Sequence, residues 1–234
     1  MPKETQLSIL LHDDHLVAIH KPPGILMHRS PISRDTVFVL QTLRNQIGQR
    51  VYPVHRLDRA TSGVLLFGLS PQDAQKIVRQ FEERTVKKEY RALARGWVDD
   101  HGVIDHPVAD EEGNNVPQEA ITDYRCLQRG ELPFEVDRYP TSRYSLVSVS
   151  PRTGRRQQIR RHFKHISHHL IGDTTHGNGK HNRFFREHFG IHRLMLTSYR
   201  LAFDHPYSGE RVELQARDEP EWQRLREAFS WPAG

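Results

Sequence analysis

The run Val64-Leu65-Leu66-Phe67-Gly68-Leu69 limits what this chain can fold into more than any other stretch. A short series of apolar residues bounded by turn signals suits a strand buried on both faces. Directly before it stands Val54-His55-Arg56-Leu57-Asp58-Arg59-Ala60-Thr61-Ser62-Gly63, which sets a carboxylate between two guanidinium groups and ends in a small polar turn. The polar stretch therefore reads as a loop delivered by a core strand, where chemical groups are often held because the scaffold fixes them. An Asp flanked by Arg56 and Arg59 is expected to stay ionised. Taken alone, an Arg-Leu-Asp-Arg string reads first as a surface ion-pair cluster.

At 234 residues the chain is one large domain or two small ones, long enough to bury a substantial core. Its net charge of +5, with 16 His in reserve below neutral pH, points towards an anionic partner such as nucleic acid. The single cysteine, Cys126, excludes an internal disulfide framework and fits a reducing compartment. No run approaches the roughly eighteen apolar residues of a membrane span, and the first residues lack an apolar signal core. A cytoplasmic protein with no membrane partner is expected.

Residues 1–14 are polar and read as a lead-in. Leu16–Ile19 is a short buried strand, stopped by the turn Lys21-Pro22-Pro23-Gly24. Val37, Leu40, Leu43 and Ile47 follow helical spacing, with Asp35 as N-cap and Gly48 after the end. A second helix opens at Ser70-Pro71, with Ala74, Ile77, Val78 and Phe81 on one face. Lys87–Leu93 alternates like a strand, in which Tyr90 is unremarkable by composition. The polar segment 98–117 reads as a loop excursion. Strands follow near Ile121–Leu127 and Tyr144–Val149. The window Pro151–Lys164 then holds six Lys/Arg and no acid. Ile159, Phe163 and Ile166 set one helix stripe towards the core, and Arg156 and Arg160 share a neighbouring stripe. A solvated basic face accounts for such a window, above all for Arg152 and Arg161. Val212–Leu214 reads as a last strand and Pro220–Phe229 as a terminal helix.

Several of these stretches carry a family resemblance. His55-Arg-Leu-Asp-x-x-Thr-Ser-Gly63 resembles the active-site motif of the RluA-type pseudouridine synthases. His20-Lys-Pro-Pro-Gly24 is similar to that family's first block, with His in place of Asn. Lys88-Glu-Tyr90, Thr153-Gly-Arg-x-x-Gln-Ile-Arg160 and Ile171-Gly-Asp-x-x-His-Gly177 match further blocks, and Leu194–Pro206 matches the closing strand, with Thr197-Ser198 replacing His-Ala. The Gly-Asp turn reads as support for the cleft rather than as chemistry.

The resemblance implies an α+β pseudouridine synthase fold: a mixed, mostly antiparallel sheet, flanking helices and a central catalytic cleft, in a single catalytic domain over 1–234 without an S4-like RNA-binding domain. It implies that Asp58 is catalytic, that Tyr90 packs against the target base, and that Arg160 ion-pairs with Asp58. Arg56 would fill the space left by a flipped nucleotide, and His55, Arg59, Arg152, Arg155, Arg156 and Arg161 would meet RNA. No metal or other cofactor is implied. Ile47-Gly48-Gln49, Arg138–Tyr144 and Glu187–Gly190 resemble a branch that modifies uridine-65 of tRNA, so tRNA is the expected partner of a monomer that needs no protein partner. Ribosomal RNA is the alternative substrate within the family. Two other classes compete: an RNA-binding relative without activity, and a metal-dependent hydrolase built on His162, His165, His168 and His169. The second lacks a His-Glu-x-x-His motif and a nearby carboxylate set.

Overall fold

The computed structural model describes residues 6–29, 35–109 and 115–232. In chain order the elements are β1 (Ser8–His12), β2 (Leu16–Lys21), α1 (Val39–Ile47), β3 (Tyr52–Pro53), β4 (Ser62–Gly68), α2 (Pro71–Glu82), β5 (Lys87–Arg95), β6 (His101–Asp105), β7 (Val108–Ala109), β8 (Pro117–Gln118), β9 (Ile121–Leu132), β10 (Ser142–Pro151), α3 (Gln158–His165), α4 (Gly179–Phe189), β11 (Leu196–Asp204), β12 (Arg211–Gln215) and α5 (Pro220–Phe229). The fold is α+β with mostly antiparallel strands, as the sequence implied. Residues gather into two compact units, Met1–Lys88 with Thr197–Arg217, and Glu89–Leu196 with Asp218–Gly234. Among the described residues no helix is long and apolar enough to cross a membrane.

In the first unit the strands run β1-β2-β4-β11, with β3 beside β4 and β12 beside β11. The apolar run is β4, buried at every position. Val64 and Leu66 pack with Ala74 and Ile77 of α2 and with Leu201 and Phe203 of β11. α2 starts where the sequence placed it: the Asp73 N–H donates to Ser70 Oγ at 3.1 Å, with Pro71 at the first position.

In the second unit the order is β5-β10-β9-β6, and β7 pairs with β8 separately. Its core gathers Leu93, Tyr144, Phe184, Phe185, Trp222 and Leu225.

Three expectations need correction, and one helix lies where the sequence reading placed no element. Ser8–His12, assigned to a lead-in, is strand β1, because Ile9, Leu10 and Leu11 give it an apolar body that pairs along β2. Asp35 does not cap α1. The N-cap is Phe38 with no side-chain bond, and Asp35 instead meets Arg59. The 98–117 excursion lies partly outside the described residues, but His101–Asp105 forms β6 on β9; only Ile104 of it is buried, too thin an apolar signal to read. Helix α4 was not anticipated, although Asn178 caps it by accepting the Lys180 N–H at 3.0 Å and Gly190 ends it with φ +61°.

The Ser62-Gly63 turn has a physical reason. β4 and β11 run parallel there, with Ser62 opposite Thr197 and Gly63 opposite Ser198. Gly63 has φ +107°, and a Cβ on it would stand 2.2 Å from the Ser198 carbonyl oxygen, so only glycine fits. Ser62 Oγ and Thr197 Oγ1 lie 2.9 Å apart in the buried interior. Thr197, where the family pattern has His, thus belongs to the scaffold.

Lys21 fixes the Asp58 loop from beneath. It is fully buried, and its Nζ donates to the carbonyls of Pro22 (3.0 Å), Arg59 (3.1 Å) and Thr61 (2.8 Å). A buried ammonium is tolerated only when it is hydrogen-bonded. Lys21→Met keeps the stem but leaves buried carbonyls without their donor, at about 1–3 kcal/mol each. At this chain length that lowers Tm by roughly 2–4 °C per kcal/mol. Hydrogen exchange should speed up at the Thr61 amide, which closes the turn onto the Asp58 carbonyl at 3.1 Å. Unchanged Tm and exchange in Lys21→Met would remove Lys21 as the anchor.

Candidate active site

Asp58 is half-buried in the first unit, on a loop braced from both ends. The Gly24 N–H donates to the Arg59 carbonyl at 2.8 Å, and Arg59 Nε returns a bond to the Gly24 carbonyl at 3.0 Å. Arg59 Nη2 also pairs with Asp35 Oδ1 at 2.9 Å. One of the two guanidinium groups beside Asp58 therefore ties the loop to the Lys21–Gly24 turn. The other, Arg56, is exposed.

His55, grouped with the RNA-contacting residues in the sequence, makes its described contacts inward. Its Nε2 accepts the Leu66 N–H at 3.0 Å, and its ring stacks on Phe81 with centroids 5.0 Å apart. Burial, then the charge of Lys88, lower its pKa to about 3. His55 is thus a neutral imidazole that holds the loop against β4, with the proton on Nδ1 because Nε2 is the acceptor.

In the second unit, the basic window bends sharply before it becomes a helix. Gln157, the residue before α3, has φ +54°, and Arg156 sits on the turn rather than in the helix. The helical stripe expected for Arg156 and Arg160 is therefore absent, whereas Ile159 and Phe163 are buried as anticipated. The bend is pinned by Gln158. Its Oε1 accepts from Thr153 Oγ1 (2.8 Å) and the Arg155 N–H (2.9 Å), and its Nε2 donates to the Ile121 carbonyl (3.0 Å) and Thr122 Oγ1 (2.9 Å).

Arg160 meets Asp173 in a bidentate bond, Nε to Oδ2 at 2.7 Å and Nη2 to Oδ1 at 2.8 Å, with both residues buried. Asp173 Oδ1 also accepts the N–H groups of Thr175 and His176, each at 2.9 Å. The Gly-Asp turn is thus a support, in line with its reading from sequence. Gly172 is required there: its φ is +78°, and a Cβ would stand 1.8 Å from the Arg193 carbonyl oxygen. Tyr90 is half-buried on β5, opposite Val149 of β10.

The other basic residues divide by partner. Arg152 forms a bidentate pair with Asp123, at 2.6 and 2.5 Å. Arg155 Nε donates to the Glu119 carbonyl at 3.0 Å, and Arg161 donates to the Ala109 carbonyl. Of the four histidines weighed as metal ligands, His162 Nε2 donates to the His106 carbonyl at 2.9 Å and His168 Nδ1 to the Arg95 carbonyl at 2.8 Å. Among the described residues no three His, Cys, Asp or Glu are grouped to hold a metal ion. Sequence reasoning missed Lys21 and Gln158 as positioning residues. Their only signal was a polar residue at a position that the neighbouring apolar pattern would bury.

Burial acts to raise the pKa of Asp173, but the bonds from Arg160 and the His176 and Thr175 amides outweigh it and hold the carboxyl below its usual range. A carboxyl depressed in the folded state stabilises the fold above its unfolded pKa, and that contribution is lost as pH falls through the folded value. Asp173→Asn should therefore destabilise the protein at neutral pH, where breaking a buried pair costs about 3–5 kcal/mol. Its Tm should also fall less steeply than wild type on acidification below the usual carboxylate range. Parallel acid limbs for the two proteins in a Tm–pH series would contradict this.

Residues 15–165, from β2 through α3, match the family model described as RNA pseudouridylate synthase. The chain is 47% identical over 99% of its length to a tRNA pseudouridine synthase C of Pectobacterium carotovorum, of which it spans 64%. It is also 47% identical over 96% of its length to one of Pasteurella multocida, of which it spans 97%. Among solved structures, human RNA pseudouridylate synthase domain containing 1 superposes with a TM-score of 0.71 at 26% identity, over 91% of this chain and 84% of that one. A family match that runs from the Lys21 turn through the Asp58 loop to Arg160, with relatives this similar along nearly the whole chain, makes this protein a member of the RNA pseudouridylate synthase family.

Proposed function

We propose that the chain is an isomerase that converts a uridine of tRNA, uridine-65, to pseudouridine. The observation that carries this reading is its similarity, along nearly all its length, to proteins named tRNA pseudouridine synthase C. The isomerisation breaks the N1–C1′ bond, turns the uracil and joins C5 to C1′. A fixed carboxylate suits either attack at the electron-poor sugar carbon or removal of the 2′ hydrogen. Asp58 takes that role, on a loop whose backbone is already bonded in place. A uridine within a stacked helix must first be extruded, at a few kcal/mol. Arg56, exposed two residues before Asp58, occupies the space it leaves, and Tyr90 packs on the uracil. Arg160 aims Asp58. The chain acts in the cytoplasm as a single catalytic domain and a monomer, without a metal or cofactor.

Asp58→Asn should bind unmodified tRNA within about threefold of wild type and form no pseudouridine. The swap keeps shape and removes the charge the chemistry requires. Turnover within tenfold of wild type would exclude Asp58 as the catalytic group. Pseudouridine mapping in RNA from a strain lacking this protein identifies the substrate: loss at tRNA uridine-65 is expected, and loss only in ribosomal RNA would move the assignment to that branch.

The Asp58–Arg160 pairing is tested by stability, since Asp58→Asn abolishes the rate. Melting of Asp58→Asn, Arg160→Lys and the double variant should show coupling of about 0.5 kcal/mol or more, as contacting residues do. Additive effects would separate the two residues.

A further inference from the structure

Beside the Arg160–Asp173 support, the second unit carries a cleft of about 350 Å³ lined by His106, Pro107, Val108, Ala109, Arg161, Lys164, His165 and His176. We propose that this cleft holds the phosphodiester backbone of the RNA substrate, at a site distinct from the groups that act on the uridine. The inference rests on the RNA reading above and names the surface that grips the polyanion.

The composition of the lining is one-sided. Two permanent cations and three imidazoles face the cleft, and none of the lining residues is acidic. Arg161, Lys164 and His165 stand at i, i+3 and i+4 of α3, so one face of the helix presents them together. Arg161 and Lys164 occupy its last two turns, where the helix dipole favours positive charge and offsets their mutual repulsion. Pro107, Val108 and Ala109 complete the lining with apolar side chains.

The lining is held in place by its own contacts. Arg161 is tied across the cleft to the Ala109 carbonyl. The His106 and His165 rings stack with centroids 3.7 Å apart at 12°. Beneath them His162 donates to the His106 carbonyl at 2.9 Å, which fixes the strand side to the helix side. At the far wall His176 is anchored twice, by Nε2 to Gln157 Oε1 at 2.7 Å and by its N–H to Asp173. Lys164, His165 and Pro107 are exposed, so the lining suits a chain laid across it rather than a mononucleotide enclosed within it.

The test uses the full chain with Lys164→Met, His165→Gln and the double variant, and Arg224→Met on α5 as a control outside the cleft. Dissociation constants for unmodified tRNA are measured between about 50 and 200 mM salt, with the single-turnover rate at saturating RNA and Tm beside them. The double variant should bind about tenfold more weakly, and its salt slope should be shallower by about one unit, for the phosphate that Lys164 no longer neutralises. Its saturated rate and Tm should match wild type, and Arg224→Met should leave the slope unchanged. An unchanged affinity and slope in the double variant would overturn the proposal. So would displacement of tRNA by inorganic phosphate as readily as by oligouridylate, at equal phosphate concentration and ionic strength, since that marks a small-anion pocket. A shallower slope in the variants of a wild type that forms no pseudouridine would support the cleft and overturn the activity it was inferred beside.

Discussion

Taking the Lys21 ammonium out of water costs far more than a single contact returns, so its position demands hydrogen-bond acceptors from the surrounding chain. Those acceptors are the Arg59 and Thr61 carbonyls, just after Asp58, and the Pro22 carbonyl of the neighbouring turn. A flexible loop cannot bring two carbonyls to one ammonium without giving up its freedom. The cost of burying the charge is thereby converted into rigidity at the loop that carries Asp58. Arg59 adds to this from the rim, by backbone and side chain alike, and Gly63 lets the following strand run close against β11. Such bonding keeps the backbone around Asp58 in one position.

The second unit solves the same problem with a carboxylate as the buried charge. Asp173 can only accept, and it is surrounded by donors: two nitrogens of Arg160 and two backbone amides. Gln158 completes the arrangement by satisfying both ends of its amide between β9 and the bend before α3. The left-handed Gln157 is then held by its neighbours rather than by its own preference, and its side chain is used as well, against His176. The orientation of Arg160 is accordingly a property of the whole bend.

What could be read from the sequence followed periodicity and turn chemistry. β4, α2, α5 and the buried stripe of α3 came from apolar spacing and caps, because those signals are local. The family motifs marked Asp58, Tyr90 and Arg160 as candidates, which no spacing argument distinguishes from an ordinary ion pair or strand tyrosine. The failures share a cause. β1 and β6 owe their order to a neighbouring strand, and a five-residue edge with few buried side chains carries little signal of its own. The bond of Asp35 to Arg59, the role of His55 under β4 and the anchoring by Lys21 all join residues 11 to 40 positions apart. No local window contains both partners.

The basic window shows why net charge alone says little about RNA. Arg160 is buried on a carboxylate, and Arg152 forms a fork with Asp123, so both spend their charge within the protein. Arg155 is held differently. A bond to a carbonyl, such as that of Arg155 to Glu119, fixes a guanidinium without cancelling its charge and leaves it able to attract a phosphate. The distinction orders these residues by the acceptor each one meets rather than by exposure, since Arg152 and Arg155 are both exposed. Electrostatic attraction for a polyanion then concentrates where cations are braced by carbonyls, stacked rings and a helix end. Where they face acids, the same residue type serves the fold.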